Sequence, residues 1–351
     1  MIKVLYSFNK NGFEAEYWSR EIAAASNEKI VFFPFNHGVF LNPNRYLRAQ
    51  LLDNLFFEKN ESLLKLYQSI ETKIDELKAD VLLVDNCPPY HPEFLRNLKI
   101  YKALRIADGP ISAYDRDFAY LHAYDHVLYH SPAYSREINM EDKLRYCGVK
   151  HADFWPLGSF DAMCDRTKSE NNILDGYRDI DIIFVGALHL NKMPLLAKIK
   201  RVFGRKMVLF GLSDWKKNFY FNACFGFPGW VSPMPFDQYV AMYQRAKIGI
   251  NIHNRGDYTV GSYRLFDLPA NGVMQISDGG EFLSSFFRPD EEIVGYNDAE
   301  DLIGKIKFFL SNESARKQIA LNGFRRVQKD YRISNLLYRL YEIFSRNLNN
   351  R

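Results

Sequence analysis

The sequence predicts an α/β protein built from two doubly wound domains that face an interdomain cleft. Short apolar runs of strand length alternate with stretches of helical period in both halves of the chain, which is typical of parallel sheets covered by helices. A polar segment that begins near Trp155-Pro156 separates the halves. With 351 residues, the chain is long enough to form two hydrophobic cores.

Strands and helices alternate regularly in the first half. The run at residues 81–84 is apolar throughout, which indicates a strand buried on both faces of a parallel sheet. We expect further strands at residues 2–8, 29–34, 105–107 and 126–129, a helix at residues 14–25 and a helical region over residues 43–78.

A second alternating series begins at residue 180. We expect strands at residues 180–186, 207–211, 248–252 and 273–276, a helix at residues 236–246, and a helical tail over residues 298–351. The predicted domains are residues 1–157 and 158–332, both Rossmann-like. Residues 333–351 form a predicted terminal helix.

Composition limits the classes of function. The net charge is +4 and no long basic run occurs, so we expect an anionic small molecule as partner and no nucleic acid. The four cysteines lie far apart, which argues against a disulfide framework or a zinc finger. No run of about 18 apolar residues occurs, and no signal peptide is predicted. The expected location is the cytoplasm, with peripheral contact at the inner face of the membrane left open.

The segment at residues 244–277 carries the clearest pattern for a site. An apolar strand leads through a polar loop to Arg264 and a turn of helix with Asp267, and Asn271-Gly272 ends that helix. A helix amino end after a strand attracts anions, and Arg264 would add charge. Asp267 could accept hydrogen bonds from hydroxyl groups. An ordinary helix with solvated Arg264 and Asp267 is the alternative.

A second candidate loop follows the strand at residues 180–186. Gly186 ends the strand, and His189 and Lys192 precede a helix. Backbone approach at Gly186 together with the Lys192 ammonium could hold a diphosphate. A turn glycine and a surface lysine are the alternative reading.

Three further residues are candidates: His37 and Asp108 stand where loops leave predicted strands, and Trp230 precedes a predicted helix. Trp230 could present an indole face to a base, and His37 or Asp108 could serve as a general base or position an acceptor. Each of the three has a structural alternative, which for Trp230 is a place in the core.

Several known signatures are absent from the sequence. It contains no GxGxxG after the first strand, no Walker A motif, no HExxH and no GxSxG. We interpret the two Asp-x-Asp triplets, at residues 115–117 and 179–181, as solvated or capping carboxylates. Neither a metal site nor a resident cofactor is therefore predicted.

Taken together, the second half of the chain resembles the GT-B glycosyltransferases, and within them the group-1-type family that includes the CgeB-like branch. The Arg-x-x-acid-x-x-x-x-Gly block, from Arg264 to Gly272, is the most specific part. The other matching segments are residues 182–186, 229–231, 243–253, 286–293 and 299–331, and more loosely residues 106–110, 124–127 and 148–158.

The resemblance implies a nucleotide-diphosphate sugar donor held by the C-terminal domain and a glycan or lipid-linked acceptor bound by the N-terminal one. Asp267 would contact the ribose hydroxyls, while Lys192 or Arg264 would offset the diphosphate charge. Gly186 and a loop that starts at Asn254 would complete the pocket. Catalysis would need no metal, and residues 334–344 would cross back to the first domain.

Two positions differ from the family pattern. Asp267 stands where Glu is usual, and Thr259 stands where retaining enzymes have a second acid. A non-catalytic nucleotide-sugar or glycan-binding protein with this fold is therefore a rival hypothesis. A nucleotide-sugar epimerase or a phosphorylase is another. The sugar, the base, the acceptor and the anomeric outcome do not follow from the sequence.

Overall fold

The computed structural model describes most of the chain, namely residues 1–41, 54–86, 89–106, 117–164, 173, 176–211, 213–235, 238–253 and 261–348. The chain divides into two compact units. The N-terminal unit comprises Met1–Leu157 and Ile333–Arg351, and the C-terminal unit comprises Gly158–Arg332. Asn254, Asp108 and Thr259 lie outside the described residues.

The N-terminal unit contains a parallel sheet of six strands in the order β2-β1-β3-β4-β5-β6. The strands are β1 (Ile2–Phe8), β2 (Ile30–Asn36), β3 (Val81–Val84), β4 (Tyr101–Ile106), β5 (His126–Tyr129) and β6 (His151–Phe154). All four residues of β3 are buried, as expected for a central strand covered on both faces.

Helices cover this sheet. They are α1 (Gly12–Ala24), α2 (Glu61–Leu77), α3 (Pro92–Asn97) and α4 (Met140–Tyr146), together with the last helix of the chain, which also belongs to this unit. The Asn60 side chain caps α2 by accepting from the Leu63 amide. Leu63, Leu66 and Ile70 then repeat at helical spacing on the buried face.

The C-terminal unit contains a parallel sheet of five strands in the order β11-β10-β9-β7-β8. The strands are β7 (Ile180–Val185), β8 (Met207–Phe210), β9 (Ala246–Asn251), β10 (Met274–Ser277) and β11 (Val294–Gly295). The helices of this unit are α5 (Met193–Phe203), α6 (Trp215–Phe225), α7 (Tyr239–Gln244), α8 (Tyr263–Ala270), α9 (Ala299–Ser311) and α10 (Glu313–Arg326).

The last helix, α11 (Ile333–Leu348), packs within the N-terminal unit. The indole Nε1 of Trp155 donates to the Leu336 carbonyl oxygen at 2.8 Å. Leu336, Leu337 and Leu340 are fully buried, so the apolar face of α11 contributes to the core of this unit.

Several elements differ from the sequence prediction. β4 begins four residues before the predicted strand, and the described helix within residues 43–78 begins only at Glu61. β6 and α6 were not predicted. The residues of β6 are only partly buried or exposed, and α6 buries few side chains, so neither has a strong apolar period. No helix among the described residues is both long enough and apolar enough to cross a bilayer.

Candidate functional site

The strand order of the C-terminal sheet reverses between β7 and β9. From β7 the chain passes outward to β8, and it then returns to the other side of β7 to form β9 and β10. In open parallel sheets, ligands bind outside the carboxyl ends of the strands at such a reversal. The candidate site therefore lies at the carboxyl ends of β7 and β9.

Arg264, in the first turn of α8, connects these two strand ends. Its Nε donates to the Val185 carbonyl oxygen of β7, and its Nη1 donates to Asn251 Oδ1 of β9 at 2.9 Å. The guanidinium carbon lies 4.8 Å from the centroid of the Phe184 ring. Burial lowers the pKa of Arg264, but a guanidinium remains charged in proteins. The site thus contains a positive charge in a fixed position.

Gly186 makes room for this guanidinium. Its φ is +155°, and a Cβ at this position would lie 2.0 Å from Arg264 Nη2. Because two hydrogen bonds hold the guanidinium, it cannot move aside without breaking them. Glycine at position 186 is therefore a condition for the observed position of Arg264.

Lys192 supplies a second positive charge. It ends the short 3-10 helix Leu190–Lys192, and only 3% of its surface is exposed. Burial, and then the charge of Arg264, lower the pKa of Lys192 to about 8, while Asp278 acts in the opposite direction. Among the described residues, no acceptor forms a hydrogen bond with the Lys192 ammonium. A buried ammonium that lacks an acceptor is costly unless an anion joins it.

The amino end of α8 also favours an anion. Ser262 precedes the helix, but its side chain accepts no hydrogen bond from the first turn. Its Oγ instead donates to Asn251 Oδ1 at 3.3 Å. The positive end of the helix dipole consequently adds to the charges of Arg264 and Lys192.

A polar network supports the site from β9 and β10. Asp278, directly after β10, accepts from the His253 amide through both oxygens, at 3.0 and 2.9 Å. It also bonds to His253 Nδ1 at 2.6 Å. The other ring nitrogen, Nε2, accepts from the Gly261 amide at 3.3 Å. The ring proton of His253 therefore lies on Nδ1, which faces Asp278. The Nδ2 atom of Asn251 lies 3.3 Å from His253 Nε2.

Asp267 lies in a different environment from the one predicted. It is 4% exposed, and its Oδ1 accepts from Ser159 Oγ at 2.6 Å. Asn271 donates to the Asp267 carbonyl oxygen and to that of Met163. These bonds attach residues 159–163 to α8, and they give Asp267 an anchoring role within the unit. Its contact with ribose hydroxyls stays a prediction.

Two other predicted residues, His189 and Trp230, are exposed. His189 is exposed at the start of the 3-10 helix, and burial and the Lys192 charge lower its pKa. Trp230 is 63% exposed beside β8, where Ser232 pairs with Phe210. Among the described contacts, Trp230 has none with Arg264 or Lys192. The structure therefore groups His189 with the charged cluster and leaves Trp230 at the edge of the sheet.

His37 is fully buried in the N-terminal unit. Its Nδ1 lies 2.8 Å from Ser7 Oγ, which in turn lies 2.6 Å from the Tyr90 hydroxyl. Burial lowers the pKa of His37 to about 3. A buried and neutral imidazole of such low basicity does not fit a general base in contact with an acceptor, so the structure favours a structural role for His37.

The N-terminal sheet also contains a buried ion pair. Arg105 of β4 is fully buried, and its Nη1 donates to Asp85 Oδ1 at 3.0 Å and to the Tyr6 hydroxyl at 3.1 Å. The ring of Trp155 stacks on the guanidinium at 4.6 Å. Here each charge has its counter-charge, in contrast to Lys192.

The sequence patterns missed Asn251, His253 and Asp278. The available signal was their position, since each stands at or just after the carboxyl end of a predicted strand. Among the described residues, no group of three or more His, Cys, Asp or Glu side chains is arranged to hold a metal ion. The described site therefore consists of two cations, a helix amino end and a supporting polar network.

Comparison with known families gives one match in sequence. Residues 192–341 match the model of a family described as glycosyl transferase-like. This region includes Lys192, Arg264 and the supporting network. No curated protein sequence matches the chain.

Solved structures resemble the whole chain. Sucrose-phosphate synthase from Thermosynechococcus elongatus has a TM-score of 0.67 and 13% identity over 100% of both chains. Anabaena HepE in complex with UDP-glucose has a TM-score of 0.62 and 10% identity, and 98% of this chain and 100% of that one are covered. The UDP-GlcNAc 2-epimerase from Neisseria meningitidis bound to UDP-GlcNAc has a TM-score of 0.53 and 11% identity, with 98% and 100% covered. At such identities the likeness shows the fold. The predicted fold class, two Rossmann-like domains of the GT-B architecture, is confirmed.

Proposed function

We propose that the protein is a glycosyltransferase that takes a sugar from a nucleotide-diphosphate donor. The diphosphate would bind in the C-terminal unit, at the carboxyl ends of β7 and β9. The acceptor would be a glycan or a lipid-linked glycan, as the resemblance of the sequence implies. The match of residues 192–341 to a glycosyl transferase-like family supports this assignment.

One observation carries the proposal. The Lys192 side chain is 3% exposed, no acceptor among the described residues binds its ammonium, and the charge of Arg264 acts on it. Arg264 has two protein acceptors, but the two cations together favour an anion of more than one charge, because no acceptor among the described residues compensates the Lys192 ammonium. A diphosphate is an anion with more than one negative charge. HepE, whose structure resembles this chain, is described in complex with UDP and with UDP-glucose.

The chemistry follows from where charge develops. In the transfer, the bond between the anomeric carbon and the diphosphate oxygen breaks, and the acceptor hydroxyl oxygen forms a new bond to that carbon as it loses its proton to a base or to solvent. Negative charge grows on the departing diphosphate. Lys192, Arg264 and the amino end of α8 would stabilise that charge as preorganised groups. These groups suffice in principle to replace a divalent cation, and we therefore propose a metal-independent reaction.

A second candidate rests on the comparison with the UDP-GlcNAc 2-epimerase. That protein is described as bound to UDP-GlcNAc, which is a sugar nucleotide like the proposed donor. The Lys192–Arg264 arrangement serves both reactions. The products distinguish them, because a transferase passes the sugar to an acceptor or to water and releases UDP, whereas an epimerase forms a stereoisomer of the sugar nucleotide.

The test begins with calorimetric titration of UDP, UDP-glucose and UDP-GlcNAc into the wild type. Donor turnover is then followed by UDP release and by NMR of the sugar. Lys192→Met should weaken UDP binding about 10- to 100-fold, since a charge-assisted hydrogen bond is worth about 1.5–3 kcal/mol. Arg264→Gln should have an effect of similar size.

Lys198→Met is the matched control. Lys198 lies on α5, and its ammonium pairs with Glu300 at the surface, so this variant should bind UDP like the wild type. Absence of binding by any nucleotide or sugar nucleotide would refute the proposal. Binding without UDP release or epimerisation would instead indicate a non-catalytic binding protein.

A further inference from the structure

One short stretch of the C-terminal unit exposes four large aromatic side chains. On α6, Trp215 is 66% exposed, Phe219 is 71% exposed and Tyr220 is 44% exposed, and Trp230 follows in the next loop with 63%. Exposed aromatic side chains that lie close together often mark an interaction site. Trp215 and Phe219 are four residues apart and thus lie on the same face of the helix.

The surrounding contacts hold α6 in this exposed position. Only Asn218 and Phe221 of the helix are buried. The Asn218 amide bonds to both the N–H and the carbonyl of Val231, at 2.7 and 3.0 Å. Asp214 caps the amino end by accepting from the Lys217 amide at 2.8 Å. The aromatic face is therefore presented by a helix with defined anchors.

The charge next to the aromatic face is positive. Lys216 and Lys217 lie on the same helix, and the Lys216 ammonium is 5.6 Å from the centroid of the Trp215 ring. Neither ammonium forms an ion pair with any described residue. Asp214 is the single acidic residue between positions 213 and 235. An anionic partner would thus meet two cations beside three exposed rings.

We propose that the α6 patch, defined as Trp215, Lys216, Lys217, Phe219 and Tyr220, docks on the surface of an anionic lipid bilayer. Tryptophan and tyrosine prefer the boundary between headgroups and acyl chains. Lysines next to such rings are attracted by anionic headgroups. A protein partner fits less well, because lysine is depleted at protein–protein interfaces. The inference is independent of the proposed sugar transfer.

Flotation with lipid vesicles tests the proposal. The full chain is mixed with vesicles of phosphatidylcholine alone, or of phosphatidylcholine with phosphatidylglycerol. We expect binding to the anionic vesicles only, and weaker binding as salt is added. W215A/F219A should reduce the partition coefficient at least about tenfold, because both apolar anchors are lost. K216Q/K217Q should reduce it about fivefold for each lysine.

A double variant on another helix is the matched control. K307Q/F308A removes one lysine and one exposed aromatic ring from α9, where Phe308 is 53% exposed, and it should bind vesicles like the wild type. Circular dichroism melting of each variant checks that folding is retained. Wild-type protein that does not float with anionic vesicles would overturn the proposal, as would equal loss in the control. The proposal would also be overturned if the wild type sedimented as a dimer and W215A/F219A as a monomer, since a second copy would then cover the patch.

Discussion

The two units place polar residues at corresponding points of their sheets but treat charge in opposite ways. In the N-terminal unit, where the order reverses between β1 and β3, Asp85 follows β3 and pairs with buried Arg105 at 3.0 Å. In the C-terminal unit, Lys192 and Arg264 lie at the reversal between β7 and β9. The nearby carboxylate of Asp278 already bonds to His253.

This difference indicates what each arrangement is for. A buried ion pair whose members satisfy each other has little use for an added ion. An excess of buried positive charge, in contrast, is stabilised when an anion enters. Among the described residues, it is therefore the C-terminal unit that carries the candidate anion site. Asp108, the predicted acceptor-side residue, lies outside these residues and stays a prediction.

The largest expected effect is on the free energy of unfolding, which should differ between substitutions in the two units. Arg105→Met should destabilise the protein by about 3–5 kcal/mol, because Asp85 would be left in a buried site without its partner. Lys192→Met should be neutral or stabilising, because it removes a buried charge that has no acceptor among the described residues. Urea unfolding of both variants measures the difference. Equal destabilisation by the two substitutions would mean that Lys192 has a partner in the folded protein.

A smaller effect concerns two of the buried serines, Ser159 and Ser7. Ser159→Ala removes the 2.6 Å hydrogen bond to Asp267 and should cost about 1.5–3 kcal/mol, the range for a bond to a charged group. Ser7→Ala removes bonds to His37 and the Tyr90 hydroxyl, and a neutral bond is worth only about 1 kcal/mol.

Thermal unfolding and UDP titration of both serine variants provide the readouts. If Asp267 has an anchoring role, Ser159→Ala will bind UDP within about twofold of the wild type, which corresponds to less than 0.5 kcal/mol. A tenfold loss of UDP affinity in Ser159→Ala would place Asp267 in the donor site instead. Ser7→Ala, in the other unit, serves as the comparison.

Gly186→Ala tests whether the position of the Arg264 guanidinium matters for UDP binding. The new Cβ would lie 2.0 Å from Arg264 Nη2, so the guanidinium must leave its two acceptors. We expect a loss of UDP affinity of about tenfold, or 1.4 kcal/mol. Gly204→Ala is the control, because Gly204 also has a positive φ, +55°, but nothing lies within 4 Å of an added Cβ. It should lower stability without changing UDP affinity.

The smallest effect is a pH dependence. Because burial lowers the pKa of Lys192 to about 8, the free protein loses this charge as the pH rises through 8. UDP affinity should therefore fall above pH 8, and Lys192→Met should abolish this dependence. Stability changes in the opposite direction. Between pH 8 and the ordinary pKa of about 10.4 the unfolded chain binds more protons, so Lys192 makes stability rise with pH. Calorimetry over this range would refute the assignment if the wild type and Lys192→Met showed the same profile.

Much of the fold could be predicted because parallel strands are apolar on both faces. The runs at Val81–Val84 and Ile180–Val185 are buried almost throughout, and their sequences show it without reference to the rest of the chain. The edge strand β6 reads HADF, and its mixed composition has no such period. The helix α6 was not predicted for a related reason, since most of its aromatic rings are exposed and its sequence has no apolar face of helical period.

The candidate site could be predicted in part. Gly186, Lys192 and Arg264 follow strands and carry the residue types that anions require, and the structure brings them together. The supporting partners were hidden because their hydrogen bonds span long stretches of chain. Asp278 lies 25 residues from His253, and Ser159 lies 108 residues from Asp267. No local pattern encodes such pairs, so the prediction for Asp267 rests on its position on the helix and on the family resemblance.

The space shared by Gly186 and Arg264 has a consequence for how this protein can evolve. A side chain at position 186 and a long cation at position 264 exclude each other, because both need the same volume. Position 186 can therefore gain a side chain safely only after position 264 has lost its long one. A homologue with alanine or serine at position 186 should carry a short residue at position 264 and take its positive charge from another place in the chain. Sequence variation at these two positions should thus be correlated, although 78 residues separate them.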